Sequence, residues 1–114
     1  VADCLFCAVV AGDVPSESVL STPLTYAFRD INPVAPVHVL VVPRRHIANA
    51  AELGTDHAEI LAEMFTTARA VAEREGVLER GYRLVFNVGE DANNTVAHLH
   101  LHVLGGRRLG WPPG

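Results

Sequence analysis

The chain has 114 residues, 49% of them apolar and 19% charged, with a formal net charge of −4 and all nine of its basic residues arginine. These figures fit one folded domain, 1–114, and exclude a disordered segment; scattered arginines on an acidic chain also exclude a general nucleic-acid binder. No apolar run reaches bilayer length and no leader pattern opens the chain, so a cytoplasmic protein without membrane attachment is expected.

Residues 3–12, DCLFCAVVAG, predict a short helix with Asp3 as N-cap and Gly12 just past its end. A strand follows near 18–22, and Thr22–Pro23 marks a turn. LTYAFRDI (24–31) reads as a second strand with Tyr26, Phe28 and Asp30 on one face, and two prolines make 32–36 a loop. The β-branched VHVLVVP (37–43) is a third strand that stops at Pro43. RRHIANAAEL predicts a loop with a short helical turn.

The longest helix is expected over 56–75. Asp56 with Glu59 resembles a capping box, and Leu61, Met64, Phe65, Ala68, Val71 and Ala72 form a stripe of helical period facing a core. Gly76 and Gly81 frame its exit. YRLVFNV (82–88) is a fourth strand, GEDANNT (89–95) a polar loop, and 97–104 a fifth strand. GGRRLGWPPG closes the chain with turn residues and its one tryptophan. Five strands, short connections and segregated helices imply an α+β fold on a mainly antiparallel sheet.

Two clusters carry chemistry. Cys4 and Cys7 are the only cysteines. A thioredoxin-like pair would need a preceding strand for which there is no room, and a disulfide here would close too short a loop to stabilise much. A zinc half-site and two buried thiols both remain open.

The second cluster is His98, His100 and His102, half of the six histidines, alternating with Leu99, Leu101 and Val103. Strand periodicity puts the apolar residues toward a core and the imidazoles on the other face. Same-face strand positions lie about 6.5–7 Å apart, awkward for three bonds of about 2 Å to one zinc. A neutral imidazole can instead act as a nucleophile beside a neighbour that stabilises negative charge. Asn93, Asn94 and Thr95 in the loop before it are donors suited to phosphate oxygens; the pairs Arg44–Arg45 and Arg107–Arg108 could meet phosphate locally, but the arginines as a set read first as solvated. Asp30 is placed to accept hydrogen bonds from a ribose diol.

HLHLHV satisfies the His-φ-His-φ-His-φ pattern of the histidine triad superfamily. With FRDINPVAPVHVLVVPRRHI, YRLVFNVG and the ending HVLGGRRLGWPPG, the chain from about Asp3 to Gly114 resembles its branch of histidine triad nucleotide-binding proteins. The resemblance implies a purine nucleoside phosphoramidase acting on AMP- or GMP-type phosphoramidates through a covalent nucleotidyl-histidine. It makes His100 the nucleophile, His102 a donor to the phosphate and the departing amine, His98 the holder of the geometry, and His38 part of the proton-handling surroundings. Leu5, Phe6, Val9, Phe28 and Ile31 match the purine slot, Asp30 the ribose acid, and Asn87, Asn93, Asn94 and Thr95 the phosphate and leaving-group contacts. It further implies a structural zinc on Cys4, Cys7, His46 and His98, with no organic cofactor. Two chains would form a homodimer through the long helix and an edge strand, making a ten-stranded sheet in which Trp111 shapes leaving-group specificity. Thr95 stands where relatives often have Ser, and DANN replaces a glycine-rich loop; both bear on substrate preference. A nucleotide-binding regulatory module and a nucleotidyl transferase are the alternative readings.

Overall fold

The computed structural model describes residues 3–114, and these form one five-stranded antiparallel sheet with a helix on each face. In chain order the elements are helix α1 (Leu5–Ala11), strands β1 (Ser18–Ser21), β2 (Thr25–Arg29) and β3 (Val37–Pro43), helix α2 (Ala58–Arg74), and strands β4 (Arg83–Val85) and β5 (Leu101–Gly105). Two 3₁₀ turns, Ala50–Glu52 and Thr55–His57, lead into α2. The strand order is β1-β2-β3-β5-β4.

Strand β3 is buried along its whole length, as its near-continuous apolar sequence requires of a central strand covered on both sides. Its alternation divides the core. Val37, Val39 and Val41 join Leu99, Leu101, Val103 and the α2 residues Met64, Ala68, Val71 and Ala72 on one face. Leu40 and Val42 join Phe28 and the α1 residues Phe6 and Val9 on the other. The stripe expected on the long helix therefore faces the sheet, except that Leu61 is half-buried and Phe65 stays 43% exposed.

Several boundaries and caps differ from expectation. The N-cap of α1 is Cys4, not Asp3: the Cys4 sulfur accepts from the Cys7 N–H at 3.2 Å. The expected Asp56–Glu59 capping box does not form, because a 3₁₀ turn precedes α2 and His57 instead accepts from the Gly54 N–H at 3.0 Å. At the other end of α2, Gly76 adopts φ 76°, and the N–H groups of Gly76 and Val77 return to the carbonyls of Glu73 and Ala72. This is the left-handed glycine termination that the sequence position predicts.

The fourth strand contracts from 82–88 to three residues, and the second ends at Arg29, leaving Asp30 just beyond it. The histidine strand was expected over 97–104 but begins at Leu101. The last β3–β5 pair is Val41 with Leu101, and beyond it the ladder stops for a chemical reason. Pro43 has no N–H to give, and its carbonyl accepts from His98 Nε2 at 2.9 Å. The Leu99 N–H turns away to the Ile47 carbonyl at 2.6 Å. His98 and His100 thus precede the strand, yet their side chains still alternate against Leu99 and Leu101.

Candidate active site

A cavity of about 570 Å³ opens on the α1 side of the sheet. Leu5, Phe6 and Val9 of α1 form one wall; Phe28, Asp30 and Ile31 at the end of β2 form another. His38, His100 and His102 occupy its floor, with Asn87, Asn93 and Thr95 at the side. The structure thus gathers most of the residues expected around a nucleotide. Asn94 does not line the cavity, and its Oδ1 is buried without a partner among the described residues. Trp111 lies outside it and is 83% exposed.

Hydrogen bonds to backbone groups fix the proton positions on the imidazoles, which the heavy atoms alone do not reveal. His100 Nδ1 lies 2.7 Å from the His98 carbonyl, which can only accept. Nδ1 therefore carries the proton, and the neutral ring keeps a bare lone pair on Nε2. The Phe6 ring meets His100 edge-on, with centroids 5.1 Å apart.

A second chain of bonds sets His102. The Val34 N–H donates to His38 Nδ1 at 3.1 Å, so neutral His38 carries its proton on Nε2. That atom donates to His102 Nδ1 at 2.9 Å, which leaves the His102 proton on Nε2. Its neighbour Asn87 Nδ2 is 3.5 Å away and is itself a donor, so the His102 Nε2–H stays free for a ligand. Burial, followed by the neighbouring His100 and His38, lowers the His102 pKa to about 4. Burial also lowers that of His38, although Asp30, with Oδ2 3.4 Å from His38 Nε2, opposes it. The floor thus presents one lone pair and one N–H, from adjacent imidazoles whose centroids are 5.1 Å apart.

Asp30, His38 and His102 also converge closely enough to suggest a metal site. The proton pattern argues otherwise. A cation on His38 Nε2 would need the proton on Nδ1, where the Val34 N–H already points.

The third member of the motif faces elsewhere. His98 is fully buried behind α1, with Cys4, Cys7 and His46 around it. Its Nδ1 lies 3.2 Å from the Cys4 sulfur, 3.5 Å from the Cys7 sulfur and 3.2 Å from His46 Nδ1; the Cys7 sulfur is 3.4 Å from His46 Nδ1. Tetrahedral zinc with Zn–N of about 2.0–2.1 Å and Zn–S of about 2.3 Å places its ligands roughly 3.3–3.8 Å apart. Because the His98 proton is committed to the Pro43 carbonyl, its Nδ1 offers a lone pair to the cluster. Four donors with facing lone pairs fit a cation of this kind.

Sequence reasoning missed Ser16, Val14 and Leu40 as cavity residues, and the backbone partners Val34, Pro43 and the His98 carbonyl. Leu40 was accessible through its alternation with His38 on one strand. The backbone partners carry no side-chain signal at all.

A model of the HIT domain matches residues 11–109. The chain belongs to the HIT family. It is similar to a HIT family hydrolase from Legionella pneumophila Philadelphia 1, with 46% identity, a TM-score of 0.96, and coverage of 98% of this chain and 100% of that one. It is 40% identical to the purine nucleoside phosphoramidase of Escherichia coli strain K12, over 93% of this chain and 89% of the relative. A 14 kDa zinc-binding protein of Zea mays is 41% identical, over 96% of this chain and 87% of the relative. The five-stranded antiparallel sheet with two helices is the architecture shared with the HIT structures. Among the described residues, no helix is long and apolar enough to cross a membrane.

Proposed function

We propose that this HIT protein is a hydrolase of purine nucleoside 5′-phosphoramidates that works through a nucleotidyl-histidine. The observation that carries the reading is the hydrogen-bond geometry of the cavity floor, from which follow a bare Nε2 on His100 and an Nε2–H on His102. In this reading the base lies along Phe6 and Phe28, which already meet edge to face, Leu5, Val9 and Ile31 complete the slot, and Asp30 accepts from the ribose diol. The phosphate meets His102, Asn87, Asn93 and Thr95.

His100 Nε2 attacks the phosphorus as the P–N bond to the amine breaks. Its Nδ1–H, held by the His98 carbonyl, stabilises the positive charge that the ring gains. A phosphate anion in the cavity opposes the burial that keeps His102 neutral, so bound substrate favours its protonation on Nδ1, for which His38 shifts its proton to Nδ1 and gives up the Val34 bond. His102 then passes a proton to the departing amine. Water attacks the phosphorus next, returns a proton to His102 and frees His100. The similarity to a named purine nucleoside phosphoramidase supports the substrate class.

The same proposal gives Cys4, Cys7, His46 and His98 a zinc ion. The cluster's geometry and the relative named for zinc binding support it. Bound there, the ion would supply structural cross-linking by neutralising the two thiolates, and the reacting groups remain those of His100 and His102.

Steady-state hydrolysis of adenosine 5′-phosphoramidate tests the function. The wild type should turn it over, and His100→Ala should lose at least about a thousandfold in rate, roughly 4 kcal/mol of transition-state stabilisation. AMP binding by calorimetry should survive the substitution. A protein that binds AMP without turnover would instead be a nucleotide-binding module.

A further inference from the structure

We propose that Ser16, held by Tyr26, reads the edge of the nucleotide base and sets how strongly this protein prefers a two-ring base to a one-ring base. The inference rests on the nucleotide reading of the cavity and adds a residue to it.

The cavity is chemically polarised. Its reactive end holds His100, His102, Asn87, Asn93 and Thr95. The contribution of α1 and the segment after it is Leu5, Phe6, Val9, Val14, Pro15 and Ser16, so the Ser16 hydroxyl is the one polar side chain on that wall. A continuous row of ring contacts runs between these ends. His100 meets Phe6 at 5.1 Å, Phe6 meets Phe28 at 5.5 Å, and Phe28 stacks on Tyr26 at 5.6 Å. The row ends where the Tyr26 hydroxyl meets Ser16 Oγ at 2.7 Å. The Arg44 guanidinium also lies over the Tyr26 ring, 5.9 Å from its centroid.

The bond has a direction. A phenol is a far stronger acid than an alkyl hydroxyl, so Tyr26 donates and Ser16 accepts, which leaves the Ser16 hydrogen free. A nucleotide with its phosphate at His100 and its diol at Asp30 lays its base along Phe6 and Phe28. The longer two-ring base reaches the Ser16 hydroxyl with a ring nitrogen or carbonyl as acceptor. A one-ring base ends short of it and keeps only the aromatic contacts.

The test compares AMP and CMP. Dissociation constants for both are measured by calorimetry on wild type, Ser16→Ala, Ser16→Thr and Tyr26→Phe, beside kcat/KM for the adenosine and cytidine 5′-phosphoramidates. Losing one hydrogen bond should lower the AMP-over-CMP affinity ratio about five- to tenfold in Ser16→Ala. Ser16→Thr, which keeps the hydroxyl, should hold the ratio near wild type. Tyr26→Phe should lower it about two- to threefold, because Ser16 loses its anchor. A ratio that does not move in Ser16→Ala, or that moves equally in Ser16→Thr, overturns the proposal. If wild type turns over neither substrate while the AMP-over-CMP ratio still falls in Ser16→Ala, the hydrolase reading fails and this one stands. If wild type binds neither nucleotide, both fall.

Discussion

At the scale of single residues, His102 couples chemistry to stability. Its folded pKa is depressed to about 4 from an ordinary value of 6.5, chiefly by burial. Above pH 6.5 the ring is neutral in both folded and unfolded chains. Between the two values the unfolded chain binds the proton more readily, so stability falls as the solution is acidified through that window. Below about 4 both forms are protonated and this group contributes no further slope. Thermal midpoints from pH 7.5 to 4 should therefore fall less steeply in His102→Gln, which cannot titrate, than in wild type. Equal slopes would show that the ring is not held neutral by burial. The alternation of His98, His100 and His102 was legible in the sequence, because a period of two is a property of side chains. Their protonation was not. It depends on the Val34 N–H, which any residue but proline would present, and on the Pro43 and His98 carbonyls, which every residue type would present alike.

At the scale of elements, α1 depends on what it is tied to. A helix of seven residues is too short to be stable alone, and it carries Leu5, Phe6 and Val9 of the cavity wall. Cys4 and Cys7 join it to His46, just after β3, and to His98, just before β5. Metal in that cluster would cross-link three segments distant in sequence, much as a disulfide does. Protein purified without chelator should contain about one zinc per chain, consistent with one four-ligand site. Stripping the metal should lower the melting temperature and speed amide exchange in residues 5–11 before it does so in β3. Cys7→Ser should cost more in melting temperature than in specific activity. Metal-free protein with full stability and two freely reactive thiols would sink this assignment. Existence and order of the elements were readable from periodicity and prolines, but several ends were not. The start of β5 and the cap of α1 are each decided by a side chain from another segment or by a sulfur atom acting as acceptor.

At the scale of the whole molecule, the two edges of the sheet are managed differently. On the β1 edge, Arg74 of α2 donates to the Val19 carbonyl, which occupies part of the exposed ladder. The β4 edge is only three residues long, and the described residues supply it with no further strand. Beside it lies apolar surface: Phe65 of α2 is 43% exposed and packs edge-on against Phe86 at 6.2 Å, and Val88 is 41% exposed. The tail is rooted here as well, since Arg83 of β4 donates to the Gly110 carbonyl at 2.8 Å, one residue before the exposed Trp111. An edge strand, an aromatic helix face and a tethered tryptophan on one side suit an isologous pairing, in which each tail would lie against its partner. We therefore propose a homodimer whose paired β4 strands join two sheets into one of ten strands. Sedimentation at micromolar concentration should give twice the mass of the chain, and Phe65→Asp should shift it toward monomer by placing a charge in the apolar contact. Burying Trp111 there would contribute a few kcal/mol, of order 2 for a large aromatic side chain. Deleting residues 109–114 should then change discrimination among amine leaving groups more than it changes AMP affinity, because the tryptophan lies outside its own chain's cavity. A wild-type monomer at those concentrations would remove the pairing, and a tail deletion with unchanged leaving-group preference would remove the role of Trp111.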